Sequence, residues 1–204
     1  MSLRFVLVGP PGSGKGTQAR ALTERFGVPA VSTGAIFRAH TRAGDELGRL
    51  ADSYTSRGEL VPDDVTDRMV AARLSEEDVA RGFLLDGYPR NLHQVHALDD
   101  ILGGLGTALD FVLEITADDD VVVQRLLGRA ADEGRKDDTE DVIRHRIALY
   151  HQTTEPLIAE YRARRILVSV DGIGIEVTQM QGRRVAQVAI TPAPVGGEDE
   201  EVSL

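Results

Sequence analysis

A chain of 204 residues, of which 42% are hydrophobic and 27% are charged, has the composition of a soluble globular protein and is long enough for one well-packed domain. Its formal net charge of −10 argues against a general nucleic-acid binder, because such proteins need broad positive surfaces, and a polyanion must therefore meet arginines gathered in one cleft. The absence of cysteine excludes disulfides, thiol catalysis and a cysteine zinc site, and it is consistent with a reducing cytoplasm.

The first predicted elements are a strand, a glycine-rich loop and a helix, in the stretch RFVLVGPPGSGKGTQARAL from Arg4 to Leu22. The apolar run Phe5 to Val8 favours a strand that is buried on both faces. The glycines allow several backbone N–H groups to converge on one anion, and the helix adds its unpaired amides and its dipole. The spacing from Gly9 to Lys15 fits the phosphate-binding pattern G-x-x-x-x-G-K-[ST], except that Gly16 stands at the hydroxyl position and Thr17 follows it. A plain glycine-rich turn is the alternative, and the flanking strand and helix favour phosphate binding over it.

Further along the chain, apolar runs alternate with helical patterns. Strands are predicted at Ala30 to Ser32, Phe83 to Leu85, Phe111 to Ile115 and Ile166 to Val170. Helices are predicted at Thr17 to Phe26, Leu47 to Arg57, Val65 to Leu74, Leu92 to Leu102 and Val121 to Arg129. A long helical pattern from Thr139 to Tyr161 contains Pro156, which should kink or split it. The alternation predicts an α/β fold in which a parallel sheet is covered by helices on both faces.

Three segments do not follow this alternation. From Ser32 to Val61 the pattern predicts helices without a new strand, and hence a small helical excursion from the core. The short polar stretch AADEG between Arg129 and Arg135 is interpreted as a surface connection. The stretch IEVTQMQGRRVAQVAI is ambiguous, and a last helix interrupted by Gly182 is favoured over a strand.

Neither a membrane segment nor a targeting segment is expected. No apolar run approaches the length that is needed to span a bilayer. Arg4 is a lone charge before a short apolar strand, without a small-residue cleavage site, so we expect no export and a cytoplasmic protein. The acidic end from Thr191, which contains prolines and glycines, predicts a disordered tail.

A carboxylate follows the predicted strand in the stretch FLLDGYPR. At the carboxyl end of that strand, Asp86 is expected to lie beside the phosphate-binding loop, where ligands of parallel α/β sheets bind. An aspartate at this place can hold the water shell of Mg²⁺, which takes few protein ligands. The alternative is a turn aspartate that caps its own loop. Arg90 adds a forked donor beside the same cleft.

Arginines recur in the stretch RLLGRAADEGRKDDTEDVIRHR, at positions 125, 129, 135, 144 and 146. Taken alone, such a mixture of arginines and acids indicates a solvated surface with weak ion pairs. A binding role for these arginines is favoured because Lys15, Arg38 and Arg90 also lie near loop or helix ends that can face one cleft. A cleft with so many positive charges would suit a chain of phosphates. The five histidines show no metal-ligand grouping, and His93 with His96 is interpreted as an exposed pair. If both reactants are phosphates, no protein nucleophile is needed, only positioning and charge neutralisation.

Eight motifs follow one another along the chain: GPPGSGKGTQ, STG with Arg38 after it, GELVPDDV, LDGYPR with Gln94 after it, Gly128-Arg129, RKDD before Arg146, YHQTTEPLI and VDG. In this order and at these separations they resemble the adenylate kinase family, over about Arg4 to Gly174, and the connection between Arg129 and Arg135 resembles the short-lid bacterial type without zinc. The resemblance implies reversible Mg²⁺-dependent transfer of a phosphoryl group from ATP to AMP, giving two ADP by direct in-line transfer. It also implies a P-loop three-layer fold with a five-stranded parallel sheet. A kinase core over residues 1–190 would carry an NMP-binding subdomain at 32–61 and a short lid at 129–138, followed by the tail at 191–204.

The resemblance assigns roles to individual positions. The ATP site would comprise Gly12, Ser13, Gly14, Lys15, Gly16, Thr17, Arg125, Arg129 and Gly174. The AMP site would comprise Thr33, Arg38, Glu59, Leu60, Val61, Gly87, Tyr88, Pro89, Arg90, Gln94, Arg135 and Arg146. The residues expected to act in catalysis are Lys15, Arg90, Arg129, Arg135 and Arg146, while Asp86 would hold Mg²⁺ through water. The expected partners are ATP, AMP and ADP, with no nucleic acid, no membrane, no zinc and a monomeric protein.

One position departs from the family pattern, and two other functions stay open. The family usually has an acid after STG, where this chain has Ala35, so Asp86 would carry more of the support for Mg²⁺. A sister kinase acting on UMP or CMP would typically have alanine in place of Thr33 and asparagine in place of Gln94, so both residues favour AMP. A P-loop switch that signals by shape change is the third hypothesis, and its GTP-binding version would need an N-K-x-D motif, which the chain lacks.

Overall fold

The computed structural model describes residues 3–133, 139–172, 179–181 and 184–187, with the backbone alone at 129–133 and in the last two ranges. Five strands form one parallel sheet: β1 (Leu3–Val8), β2 (Ala30–Ser32), β3 (Gly82–Asp86), β4 (Phe111–Thr116) and β5 (Leu167–Asp171). Their order across the sheet is β2-β3-β1-β4-β5. The strand predictions are confirmed, and so is the α/β fold with a five-stranded parallel sheet.

Eight α-helices lie among the described residues: α1 (Lys15–Phe26), α2 (Thr33–Ala43), α3 (Glu46–Thr55), α4 (Asp63–Leu74), α5 (Leu92–Gly104), α6 (Asp119–Glu133), α7 (Glu140–Leu149) and α8 (Pro156–Ala163). A 3₁₀ turn follows α4 at Glu77–Val79, and a π-helical turn joins α7 to α8 at Tyr150–Thr154. Gly27 ends α1 with φ of 64°, a left-handed conformation that glycine adopts without a steric penalty. Pro156 begins α8 and thereby divides the long helical pattern, as predicted.

Alternation along the central strands builds a core on each face of the sheet. On one face, Phe5 and Leu7 of β1 pack with Leu22 of α1. On the other face, Val6 of β1 belongs to a cluster with side chains of α4, α5 and α8, among them Leu98. Because successive strand residues point to opposite faces, this short apolar run requires helices on both sides, and the three layers result.

The helices α2 and α3 form the excursion that the pattern predicted between Ser32 and Val61. Phe37, Ala51 and Val61 bury a small cluster of their own there. The two helices approach so closely that a Cβ on Gly48 would lie 2.1 Å from the carbonyl oxygen of His40, so only glycine fits at this position.

One predicted helix is wrong, and another ends later than predicted. The stretch IEVTQMQGRRVAQVAI contains no helix in its described part, where β6 (Gln179–Gln181) pairs with β7 (Arg184–Gln187) in antiparallel fashion. Two residues, Gly182 and Arg183, stand between these strands, and a two-residue separation with glycine is typical of a β-hairpin. The helix α6 is longer than the predicted Val121 to Arg129, because it continues to Glu133 through the polar stretch AADEG, whose alanine, aspartate and glutamate offer no helix-breaking residue before Gly134.

Some predictions concern residues outside the described ranges, and one concerns membrane-spanning helices. The predicted tail at 191–204 and residues 134–138 of the predicted lid lie outside the described residues. Within the described ranges, no helix is both long enough and apolar enough to cross a membrane.

Candidate active site

The glycine-rich loop connects the end of β1 to the start of α1, as predicted. Gly9, Gly12 and Gly14 have φ values of 154°, 81° and 94°, which L-residues with a side chain rarely adopt. A Cβ on Gly9 would lie 2.3 Å from the carbonyl oxygen of Ile115 at the end of β4. A Cβ on Gly12 would lie 2.8 Å from Cγ of Leu126 in α6. The loop therefore depends on glycine for its conformation and for its contact with the neighbouring elements.

Two polar side chains lie at the loop, those of Lys15 and Ser13. Lys15 begins α1, and its Nζ donates to the carbonyl oxygens of Gly9 and Pro10 at 2.7 and 2.6 Å, so the ammonium lies across the loop. The Oγ of Ser13 is buried without a hydrogen-bond partner within the described residues. A buried hydroxyl without a hydrogen bond is destabilising, and a ligand oxygen that accepts a hydrogen bond from it would remove this cost.

A cavity of about 550 Å³ opens beside the loop, and Pro11 of the loop forms part of its wall. Nine residues that were assigned to the AMP site line it: Thr33, Arg38, Glu59, Leu60, Val61, Gly87, Arg90, Gln94 and Arg146. They come from α2, from the segment before α4, from the turn after β3, from α5 and from α7. Residues far apart in sequence thus meet around one space, and three of them are arginines.

Arg90 is held by its backbone and by its side chain. Its N–H donates to Oε1 of Gln94 at 2.7 Å, and its carbonyl oxygen accepts from Oγ1 of Thr154 at 2.9 Å. Its Nε donates to the carbonyl oxygen of Gly87 at 2.8 Å. Burial lowers the pKa of the Arg90 guanidinium, the nearby charge of Arg146 lowers it further, and Asp86 opposes both effects. The guanidinium of Arg90 stays charged, because the ordinary pKa of arginine is very high. Its charge and that of Arg146 together favour a bound anion.

Asp86 lies beside the glycine-rich loop, as the strand order requires. It ends β3, where it pairs with Leu7 of β1 on one side and with Ser32 of β2 on the other. The Oγ of Ser32 donates to Oδ2 of Asp86 at 3.3 Å. The carboxylate is partly exposed and supplies hard oxygen atoms, which is the donor chemistry that suits Mg²⁺ held through water. No group of three or more His, Cys, Asp or Glu side chains that could hold a metal occurs among the described residues.

Tyr88 and Pro89, also assigned to the AMP site, do not line the cavity. The side chain of Tyr88 is fully buried, and its hydroxyl donates to Oδ1 of Asp67 at 2.7 Å. Burial raises the pKa of Tyr88, and the hydrogen bond to Asp67 raises it further. The side chain of Tyr88 therefore supports the turn from within the core.

The remaining arginines divide into different groups. Arg125 is exposed on α6, and its guanidinium donates to the carbonyl oxygen of Gly172 at 3.3 and 3.4 Å. Gly172 lies close to the loop, because a Cβ on it would be 2.9 Å from the carbonyl oxygen of Ser13. Arg144 forms an exposed ion pair with Glu140 at 2.8 Å, which fits the solvated-surface interpretation. The backbone of Arg129 belongs to α6, whereas Arg135 and Gly174 lie outside the described residues.

Sequence reasoning missed part of the cavity wall. Phe37 and Thr41 of α2 line it, as do Tyr150, Thr153 and Thr154 of the π-helical turn. The turn residues belong to the stretch YHQTTEPLI, a family motif in which the resemblance assigns no role to any single residue. No local pattern in that stretch shows that a π-helical turn would bring three side chains to one wall.

Comparison with known proteins identifies relatives along most of the chain. A family model described as adenylate kinase matches residues 7–166. The adenylate kinase of Kocuria rhizophila is 58% identical over 171 residues, which are 84% of this chain and 91% of that protein. The adenylate kinase of Pseudarthrobacter chlorophenolicus is 55% identical over 190 residues, 91% of this chain and 99% of that protein. That of Thermobifida fusca is 51% identical over 179 residues, 87% of this chain and 95% of that protein.

Proposed function

Because the chain belongs to the adenylate kinase family, we propose that it catalyses the reversible transfer of the terminal phosphoryl group of ATP to AMP, which gives two ADP. The observation that carries the proposal is the cavity beside the glycine-rich loop, where Arg38, Arg90 and Arg146 meet. A phosphate-binding loop on one side and three guanidinium groups on the other can hold two nucleotides with their phosphates towards each other.

The cavity would take AMP. Arg38, Arg90 and Arg146 would bind the phosphate of AMP, since a guanidinium presents a planar fork of donors to phosphate oxygens. Gln94, which is only 2% exposed, would bind the adenine edge, because its amide can both donate and accept. Thr33, the segment from Glu59 to Val61 and Gly87 would complete the AMP site around them, and Tyr88 and Pro89 would shape the turn that carries Gly87.

The glycine-rich loop would take the phosphates of ATP. The backbone N–H groups from Gly12 to Thr17 and the start of α1 supply the donors and the positive end of a helix dipole. Lys15 would exchange its contacts with the loop carbonyls for the transferred phosphoryl group. The adenine and outer phosphates of ATP would meet Arg125, Arg129 and Gly174, and Arg135 would close over the phosphates together with Arg146.

Mg²⁺ would be held through its water shell by Asp86. Mg²⁺ would supply positive charge that offsets the negative charge developing on the phosphate oxygen atoms during transfer. We expect no requirement for zinc, because the chain has no cysteine.

The chemistry needs no nucleophile from the protein. The phosphate oxygen of AMP is already anionic, so the protein has to align it with the transferred group, exclude water and offset negative charge. Arg90 suits this task because three hydrogen bonds hold it before any ligand arrives. We further propose that the protein works as a monomer in the cytoplasm.

A coupled assay tests the proposal. ADP formation from ATP is measured with AMP, CMP, UMP or GMP as the second substrate, in the presence of Mg²⁺. We expect AMP to be strongly preferred. Faster turnover with UMP or CMP would indicate a sister kinase instead, and no turnover with any of the four would favour a nucleotide-dependent switch.

A further inference from the structure

The side-chain amide of Gln94 is fixed in one orientation by two neighbours. Its Oε1 accepts from the backbone N–H of Arg90 at 2.7 Å, and its Nε2 donates to Oδ1 of Asp63 at 2.6 Å. A side-chain amide offers two N–H groups and two lone pairs. One N–H and one lone pair therefore remain on an amide that lines the cavity.

The opposite orientation is disfavoured at both contacts. Rotating the amide by half a turn would place Oε1 against a carboxylate oxygen of Asp63 and Nε2 against the N–H of Arg90. Two acceptors would then face each other at one end and two donors at the other. The hydrogen bond to Asp63 is the stronger constraint, because a hydrogen bond to a charged carboxylate is stronger than one from a neutral backbone N–H to a neutral amide oxygen.

Asp63 is itself held in place, although it is partly accessible to water. It belongs to the first turn of α4, and its side chain is 33% exposed. Nδ2 of Asn91 donates to both of its carboxylate oxygens, at 2.9 Å to Oδ1 and 3.1 Å to Oδ2. The Oδ1 of Asn91 accepts from the N–H of Gln94 at 2.9 Å and caps α5. The carboxylate is thus tied to the same helix end whose amide it orients.

We propose that Asp63 is a specificity-determining positioning residue, which makes the site select a base with a 6-amino group over one with a 6-oxo group. The inference rests on the proposed function, in which Gln94 reads the adenine edge. The amino group of adenine donates a hydrogen bond and needs Oε1 of Gln94, whereas the oxo group of hypoxanthine accepts and needs Nε2. This opposition holds whichever ring nitrogen takes the second contact of the amide.

AMP and IMP test this proposal, because the two nucleotides have the same shape and differ at this edge of the purine. The values of kcat/KM for AMP and for IMP are measured with ATP as donor, for the unchanged protein and for Asp63→Ala. We expect the AMP-to-IMP ratio to fall by about tenfold, as for one lost hydrogen bond, with KM for ATP unchanged. Asp64→Ala is the matched control, since Asp64 shares the first turn of α4 but pairs with the exposed Arg68 at 3.1 Å. Its ratio should stay that of the unchanged protein.

Asp63→Asn separates the hydrogen bond from the charge and keeps the proposal testable if Asp63→Ala does not fold. Oδ1 already accepts from both Gln94 and Asn91, so an asparagine oxygen can take both contacts. We expect its AMP-to-IMP ratio to remain closer to that of the unchanged protein than to that of Asp63→Ala.

Two outcomes would overturn the role of Asp63. One is an unchanged AMP-to-IMP ratio in Asp63→Ala, whether activity is kept or is lost equally with both nucleotides, and the other is a ratio in Asp63→Asn as low as in Asp63→Ala. If the unchanged protein does not phosphorylate AMP at all, the proposed function fails instead, so the two failures are distinguishable.

Discussion

The buried hydroxyl of Tyr88 allows a quantitative test of the turn after β3. Tyr88→Phe removes one oxygen from a fully buried ring and leaves the apolar packing intact. The lost contact is a hydrogen bond of 2.7 Å to the carboxylate of Asp67, whose side chain is 17% exposed. A hydrogen bond to a charged group contributes about 1.5–3 kcal/mol, and water can reach part of the carboxylate, so we expect a loss of about 1.5–2 kcal/mol. For a chain of this size that corresponds to a decrease in Tm of about 3–8 °C.

Thermal unfolding followed by circular dichroism measures the change in Tm, and the coupled assay measures KM for AMP on the same preparation. Because the side chain of Tyr88 does not line the cavity, KM for AMP should change by less than about threefold. An unchanged Tm together with a large increase in KM for AMP would refute the reasoning, since the hydroxyl would then act on the ligand rather than on the turn.

Three further substitutions test the loop, the helical excursion and an exposed histidine. Lys15→Met keeps an apolar stem and deletes the charge, so turnover in the coupled assay should fall by roughly 10²–10³ while Tm changes little; near-normal turnover would contradict the role of Lys15. Gly48→Ala places a Cβ 2.1 Å from the carbonyl oxygen of His40 and should lower the free energy of unfolding by about 1–3 kcal/mol in urea titrations. Gly103→Ala, in α5 with no atom within 4 Å of the added Cβ, should be neutral or slightly stabilising, and equal losses in the two variants would argue against the close contact. Hydrogen bonds to Glu155 and then Asp119 raise the pKa of His151, so its stabilising contribution is present below about pH 6.5 and is lost as the pH rises through the raised value. His151→Gln should therefore lower Tm at about pH 5.5 but not at about pH 9, and a difference that does not depend on pH would contradict this.

The central part of the fold follows from local sequence patterns. The run Phe5 to Val8 predicts a doubly buried strand because its residues are apolar without interruption, and the structure gives each face of that strand a separate core. Pro156 marks the division of the long helical pattern, because proline lacks the N–H group that a helix interior needs. The antiparallel pair formed by β6 and β7 was not predicted, since short segments that mix polar and apolar residues fit helical and strand periods about equally well.

Only part of the candidate site could be predicted from the sequence. The spacing of the glycine-rich loop fits a known phosphate-binding pattern, and the family resemblance named nine of the residues that line the cavity. Asp63 belongs to the motif GELVPDDV, but its role is not evident from the sequence, because its partner Gln94 is 31 residues away and no periodicity connects them. Contacts of this kind depend on how α4 packs against α5, which the sequence pattern of neither helix specifies.

The proximity of Arg90 and Arg146 makes binding at this wall depend on the charge of the ligand. Two like charges at one wall repel each other, and the lowered pKa of Arg90 partly reflects that repulsion. A doubly negative phosphate placed between them replaces repulsion with two attractions, whereas an uncharged nucleoside leaves the repulsion in force. Under the proposed function, the wall would discriminate by charge as well as by base, and a nucleoside without its phosphate would lack both attractions.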